Sequence, residues 1–545
     1  MKAKIAFLLS LATFFSMFPA KASIPECEEW YALIVCASTR PKVFRANSNY
    51  LYHILSEHYS FKDIMYLSCH YGDPGVDGPA SKSDIREAIT DYLKNQVDSD
   101  DVVFIWFETH GGGFAFPLKD NEVYVEWFKE KYPLERLEPG DTSDEGWEVM
   151  ESTLQMDVDG DGSYVGDWVG IDEYLYLETW EEYYWDDELA EDLNSLNCKW
   201  LIIGLQSCIG ENKTCFSGGF IDDLSAPNRV IITCTNETWF GYADLDKFIE
   251  GNVADGFSEF AEGFFNALHG EKAYAGKYGR EISHTGIRIN ADLNGDGLIS
   301  LWEAWNYAYQ HDDARWAVRT KNGQIPDPIN QSESEKIHCP FGAVTVNESP
   351  WFDDDGDRQP NFWLEKDWLD DNQGSLMKQI AFPPSPKTIA KKCLAIEEYQ
   401  IKEISLETFP PGDYAVQLVA EFAGYHPENT LNWYLAGGSP HNLLFDGPEG
   451  NYGYVHSPPI KFFNPKGTWA LSFQTPEGIF STITADNPDG KKHAKIYQVL
   501  PNIWIIGFED LYNAGDEDYN DMVIILYSLK SEGGGIGNGK TFTTK

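Results

Sequence analysis

The chain is short of positive charge. Lysine and arginine number 41 against 87 aspartates and glutamates, a formal net charge of −46 over 545 residues. A surface of that sign repels a phosphate backbone, which excludes nucleic acid as a partner. Long apolar runs are also scarce. The first, from Ile5 to about Phe18, follows Lys2 and Lys4 at the N-terminus. It falls short of the roughly 20 apolar residues that a spanning helix needs. Nothing later has that length and apolarity, so no transmembrane segment is expected. Basic region, apolar run and Pro19-Ala20-Lys21-Ala22 together form the pattern of a secretory signal cleaved after Ala22. The mature protein is therefore expected to be secreted or held at the cell surface. Cysteine is sparse, nine residues in all, each of them beyond the signal. Export permits disulfides, and an odd number leaves at least one thiol outside intramolecular pairs. No internal repeat is visible, which argues against a repeat architecture.

Hydrophobic residues make up 42% of the chain, enough for real cores. The length suggests two to four domains at ~100–200 residues each. Residues 30–37, 63–68, 101–107, 199–205 and 228–234 read as short buried strands. Helical spacing falls between or after them, at Ser48–Ser56, at Ser83–Gln96 with Ser83 as N-cap, and at Phe257–Leu268. Such alternation predicts an α/β fold with a mostly parallel sheet covered on both faces. Active sites in these sheets lie beyond the carboxyl ends of the strands. The stretch from about 117 to 197, rich in tryptophan, tyrosine and acids, interrupts the alternation and reads as a large insertion. After about Pro383 the segments become short and β-rich, separated by Gly, Pro and Asn. This predicts an all-β sandwich. The expected organisation is a signal peptide at 1–22, an α/β domain at 23–380, a β-sandwich at 381–530 and a flexible Gly-rich tail at 531–545.

Two strand ends carry candidate chemistry. The third strand runs into Glu108-Thr109-His110-Gly111-Gly112-Gly113, and the fourth into Gln206-Ser207-Cys208. Both would lie at one edge of the sheet. A thiol needs a base, and an imidazole at hydrogen-bond reach supplies one near neutral pH. Glycine after the histidine lets the Gly111 N–H approach a reacting carbonyl, so that with the N–H of the cysteine it could form an oxyanion hole.

The chain resembles the caspase-fold cysteine peptidases, and within them the legumain-like branch. The resemblance rests on Trp30–Arg45 with Tyr-Ala-Leu-Ile-Val, the helix start Arg45-Ala-Asn-Ser-Asn-Tyr-Leu-Tyr, Phe107-Glu-Thr-His-Gly-Gly, and Leu205-Gln-Ser-Cys-Ile-Gly. Cys215-Phe-Ser-Gly-Gly-Phe-Ile-Asp-Asp-Leu-Ser resembles bacterial and archaeal members. The resemblance covers roughly residues 28–270. It implies a three-layer α/β/α fold and cleavage of peptide bonds through a thioester, with His110 as base and general acid. Related sequences run from the strand through the cysteine to Ser-Gly-Gly without a break. Here Ile209–Thr214 separates Cys208 from Cys215, so Cys208 at the strand end is favoured as nucleophile and Cys215 is the alternative. The resemblance also places Arg45 and Gln206 in the substrate pocket, where a guanidinium and an amide would suit Asp or Asn.

Oxygen-rich loops point to calcium. Asp292, Asn294, Asp296, Ser300 and Glu303 fall at positions 1, 3, 5, 9 and 12 of an EF-hand loop, with Gly297 at 6 and the Leu298 carbonyl at 7. Asp157, Asp159 and Asp161 repeat the first half of that pattern, and Asp353–Asp357 is a third acidic run. Glu509, Asp510, Asp516, Asp518, Asn520 and Asp521 crowd oxygens between two strands, in a segment resembling exported bacterial β-sandwich domains. The expected function is an exported, calcium-binding cysteine endopeptidase acting on protein or peptide. Two alternatives stay open: a catalytically inactive, calcium-dependent surface-binding protein, and transpeptidation, since an amine can also take a thioester. Oligomeric state is not legible.

Overall fold

The computed structural model describes residues 29–115, 171–207, 217–235, 254–312, 380–394, 401–423, 428–440, 442–446, 453–455, 460–515 and 517–529, with a few short pieces between them. It forms two compact units, Met1–Phe382 and Pro383–Lys545.

The first unit is built on strands β1 (Trp30–Cys36), β2 (Asp63–Ser68), β3 (Val102–Ala115), β4 (Ile171–Leu177), β5 (Glu182–Trp185), β6 (Trp200–Ser207) and β7 (Arg229–Thr233). A hairpin follows, β8 (Glu271–Ala275) with β9 (Ile282–Arg288), and then a short strand, β10 (Phe352–Asp353). The main sheet runs β10-β7-β6-β3-β1-β2. Its pairings are parallel except that of β10 with β7. Every residue of β1, and of β6 after Trp200, is buried, as expected of a parallel sheet with both faces covered. On one face Leu33, Val35, Val103, Ile105, Phe107, Leu201 and Ile203 share a core with helix α2 (Lys82–Glu87 and its continuation through Leu93) and α3 (Asp186–Leu193). On the other lie α1 (Val43–His58) and α4 (Glu259–His269), where Trp106 stacks on Phe264 at 5.4 Å. Helix α5 (Leu301–His311) packs on α4. The α/β expectation holds at this level.

Three features depart from the sequence reading. Strand β3 does not stop at Phe107. It runs 14 residues and changes partner, leaving β6 after Thr109 and pairing antiparallel with β4 from His110↔Tyr176 to Ala115↔Ile171. His110 is therefore inside a strand, at the switch of partners, and not at a strand tip. The end of the 117–197 stretch is also structural, since β4, β5 and α3 all belong to this unit. Helix α2 is capped by Ser81 in place of Ser83: its side chain accepts from the Asp84 N–H and Asp84 returns the bond.

The second unit begins with helix α6 (Pro386–Leu394) and continues as two antiparallel sheets. One holds Tyr414–Glu421, Ala494–Leu500, Ile503–Phe508 and Met522–Ser528, with three short edge strands. The other holds Thr430–Leu435, Asn442–Asp446, Trp469–Thr475 and Gly478–Ser481. Val416, Leu418, Ile506 and Ile524 of the first share one core with Leu431, Trp469, Leu471 and Phe473 of the second. Alternate residues of both sheets face inward, which makes a sandwich.

Candidate active site and metal loops

Register places three side chains level near the carboxyl edge of the sheet. Cys36 pairs with Glu108, and Glu108 with Gln206. Their chain neighbours Val35, Phe107 and Leu205 belong to the opposite core, so strand alternation turns these three toward α1. Glu108 is fully buried and accepts from Asn47 Nδ2 at 2.9 Å and Trp106 Nε1 at 2.7 Å. Burial pushes its carboxyl well above the usual range. Two residues on, His110 is 3% exposed, its ring edge-on to Phe44 of α1 at 5.1 Å. The preceding Thr109 donates to the Tyr176 carbonyl at 2.6 Å and meets Ser38 Oγ at 2.9 Å, which pins the peptide ahead of the imidazole. Gly111 lies opposite Leu175 of β4.

The last pair of β3 with β6 is Thr109↔Ser207. Cys208 and Cys215 lie outside the described residues. The chain is described again from Ser217, whose Oγ is 3.4 Å from Cys234 Sγ and accepts from the Thr235 N–H at 3.3 Å. The Cys234 thiol in turn donates to the Ser207 carbonyl at 3.0 Å. Both ends of the excursion are thus gathered around Cys234. Gln206 is fully buried, and neither its Nε2 nor its Oε1 has a hydrogen-bond partner among the described residues. An unmet buried amide stands out where burial normally comes with pairing.

Arg45 pairs with an acid of the chain itself. It grips Asp73 with two bonds, Nε to Oδ2 at 2.6 Å and Nη2 to Oδ1. Asp73 also accepts from Asn49 Nδ2 at 3.0 Å, and Arg280 Nε lies 3.6 Å away. Burial opposes ionisation of Asp73, but the bonds from Arg45 and Asn49 prevail and hold its carboxyl below the usual range. Sequence reasoning passed over Cys69 and His70, directly after β2. With Cys36 they bring one ligand atom each within 4.8 Å of the others. Cys36, aided by His70, draws the Cys69 thiol below its usual range against the effect of burial. The signal that could have found them is the one used for His110: polar, reactive residues following an apolar strand.

Comparison with known proteins gives one family match, and it falls in the second unit. Residues 427–528 match the family model DUF4114, a domain of unknown function. No curated protein matches the chain. Among solved structures, the crystal structure of protein GSU0716 from Geobacter sulfurreducens is similar over 44% of this chain and 82% of its own, at 11% identity and a TM-score of 0.26. That score is too low to establish a shared fold.

Within the DUF4114 segment, Glu509, Asp510 and Asp521 each bring a carboxylate oxygen within 4.8 Å of the others. Two residues outside the acidic run join them. Glu421 closes the neighbouring strand, fully buried, with neither carboxylate oxygen bonded among the described residues. Asn429 donates to Asp510 Oδ2 at 3.1 Å while its own Oδ1 is buried without a partner. Burial, with the charge of Asp510 adding to it, pushes Glu421 up to about 9; burial likewise pushes Asp510 up to about 6. The connecting loop holds Asn513, Ala514, Glu517 and Tyr519 at φ between 59° and 66°. Non-glycine residues in that region cost of order 1–3 kcal/mol each, a strain found where a site is shaped.

The EF-hand-type loop closes on itself. Asp292 accepts from the N–H groups of Gly295 at 2.7 Å and Gly297 at 2.9 Å, the latter at φ 98°, where only glycine is at ease. Asn294 and Asp296 accept from Asp296 N–H and Leu298 N–H at 2.8 and 2.9 Å. Glu303 exchanges bonds with Ser300 as the capping box of α5, and its other oxygen takes the Leu293 N–H at 2.9 Å. Positions 1 and 12 are thereby drawn together. Burial raises the Glu303 carboxyl, a cost a bound cation would offset. Asp157, Asp159 and Asp161 lie outside the described residues. Asp353, the first of the third acidic run, is buried in β10 and its Oδ2 accepts from Ser225 Oγ.

Proposed function

We propose that the chain is an exported cysteine peptidase of the caspase/legumain type, with His110 serving as base for Cys208 and Cys215 as the alternative nucleophile. The pairing of Thr109 with Ser207 carries this reading. In sequence, His110 and Cys208 directly follow the two members of that pair. Neighbouring strands lie ~4.8 Å apart, and Cys208 is one peptide, ~3.8 Å between Cα atoms, beyond Ser207. An imidazole and a thiol can meet across that gap. The thiolate would add to a peptide carbonyl, and the tetrahedral adduct would collapse to a thioester as His110 protonates the leaving amine. Water would then cleave the thioester with His110 as base. Cys215 keeps its place as alternative because Ser217 is anchored through Cys234 to Ser207.

The Arg45–Asp73 pair leaves little net charge for an acidic side chain. We therefore place recognition of the residue before the cut on Gln206, whose unmet donors and acceptor suit an uncharged amide. The loops at 292–303 and 509–521 would hold Ca²⁺, since their ligands are hard oxygens. The acidic cluster of the second unit favours one further role, calcium-dependent attachment to a surface, whether or not the first unit is active.

The test is a set of single variants assayed on a denatured protein substrate, with mass-spectrometric mapping of an electrophilic thiol probe. Cys208→Ala and His110→Ala should each abolish turnover, and the probe should land on Cys208. Loss with Cys215→Ala alone moves the nucleophile. Labelling at Cys69 alone, or a Cys208–Cys215 disulfide in the folded protein, would leave the surface-binding role as the whole function.

A further inference from the structure

Four of the chain's 12 histidines converge at one place. Helix α1 supplies His53 and His58, His269 ends α4, and His284 lies on β9 of the hairpin. One ring nitrogen from each of His53, His58 and His269 lies within 4.8 Å of the other two. His284 stacks flat against His269, with centroids 4.0 Å apart and planes 4° from parallel. His58 and His269 are buried, at 2% and 8% exposure, while His53 is half-buried and His284 exposed. One side of the cluster therefore opens to solvent.

We propose that His53, His58 and His269 form a binding site for a divalent transition-metal ion such as zinc, with His284 holding the plane of the His269 ring. Ligand chemistry separates this site from the oxygen-rich loops. Neutral imidazole is a borderline donor that suits zinc, copper or nickel and not the hard calcium ion. Zinc–nitrogen bonds of ~2.0–2.1 Å in a tetrahedron put ligand atoms roughly 3.4 Å apart. Small side-chain rotations bring the three nitrogens from their present spacing to that value. Three protein ligands leave the fourth position on the open side for water or an exogenous group.

The bland alternative is a packed cluster of imidazoles behaving as aromatic rings. Each neutral ring carries a lone pair, and rings this close repel one another once protonated. Tyr50 packs beside the cluster. Its ring lies 5.8 Å from His269 and 6.0 Å from His284, but its hydroxyl bonds to Asn266 Oδ1 at 3.2 Å and the Glu271 carbonyl at 3.4 Å.

The site is separate from the peptidase centre. Phe44, which touches His110, precedes His53 and His58 by 9 and 14 residues on the same helix. At 1.5 Å per residue these positions lie roughly 14 and 21 Å along the axis. A metal here would tie α1 to α4, and the inference stands whether or not the chain cleaves peptides.

The test uses the full chain, calcium-loaded, stripped of other metals and titrated with zinc and with cobalt(II). One ion per chain should bind. The cobalt complex should show visible ligand-field bands without a thiolate charge-transfer band, and zinc-edge absorption should show only nitrogen and oxygen neighbours. His53→Asn, at a half-buried position, and His58→Asn should each weaken binding tenfold or more with the far-ultraviolet spectrum unchanged. Absence of binding overturns the proposal, as does unchanged affinity in both variants. A sulfur signature also overturns it, by placing the ion at Cys36, Cys69 and His70.

Discussion

At the scale of single residues, the carboxyl of Glu108 is where pH should act on the first unit. Burial raises its folded-state value above that of the unfolded chain. The folded protein therefore holds a proton that the unfolded chain releases. This stabilisation is complete below the ordinary carboxyl value and is lost as pH rises through the folded value. Thermal stability should decline from acidic toward alkaline pH, and Glu108→Gln should flatten the decline. The amide forfeits one of the bonds from Asn47 and Trp106, about 1 kcal/mol, so the variant starts lower and falls less. Melting curves at acidic, neutral and alkaline pH check this, and an unchanged slope would mean that Glu108 is ionised. Arg45 makes a second prediction. If it serves Asp73, Arg45→Met strands a buried carboxylate, which costs 3–5 kcal/mol in a fully buried pair. With the arginine partly exposed and Arg280 nearby, about 1–3 kcal/mol is expected. Arg45→Met combined with Asp73→Leu should recover most of it without altering preference at the cleaved bond. A shift in that preference at unchanged stability would return Arg45 to the substrate pocket.

At the scale of elements, the β3–β4 ribbon depends on glycine. A Cβ added at Gly112 would lie 2.2 Å from the hydroxyl oxygen of Tyr174, a side chain wedged against Tyr183 and Trp185. Gly112→Ala should destabilise by roughly 1–3 kcal/mol through overpacking, and Tyr174→Ala in the same chain should relieve the clash. Denaturant titration of the three variants reads the coupling directly. Additive losses would mean that the two residues do not meet. The same ribbon marks the limit of what the sequence discloses. The parallel strands were legible because burial on both faces writes them as unbroken apolar runs, as in Trp30–Cys36 and Leu201–Leu205. The continuation of β3 was not, because Gly111-Gly112-Gly113 has no strand preference of its own and is held extended by a partner some 60 residues later. Strand β4, Ile171–Leu177, carries acids among its aromatics and read as insertion until its pairing was known. Spacing could single out Asp292–Glu303 as a candidate because the loop is local. It could not find Glu421 beside Asp510, or His269 beside His58, since those meetings are made by tertiary packing.

For the whole molecule, an excess of 46 negative charges means that any cation it binds relieves self-repulsion and adds stability. Each unit has its own core and its own oxygen-rich loop, so point variants can separate their responses. An ion present at 100 times its Kd adds about 2.7 kcal/mol to the unit that binds it. Glu303→Gln should remove the calcium-dependent rise of the first unit and leave that of the second. Glu421 offers the sharper test, because charge and ion work in opposite directions there. Without calcium its buried carboxylate, beside Asp510, has only a proton to neutralise it; with calcium it becomes a ligand. Glu421→Gln removes the charge and keeps the volume. In chelator the variant should melt above the wild type, since a buried group no longer has to be neutralised. In calcium the order should reverse, since the wild type gains binding energy that the amide largely forgoes. Calorimetry of both proteins in both conditions gives the four midpoints. A crossing of the two orders locates an ion among Glu421, Glu509, Asp510 and Asp521. The same order in both conditions would mean that this buried carboxylate is held by its proton alone.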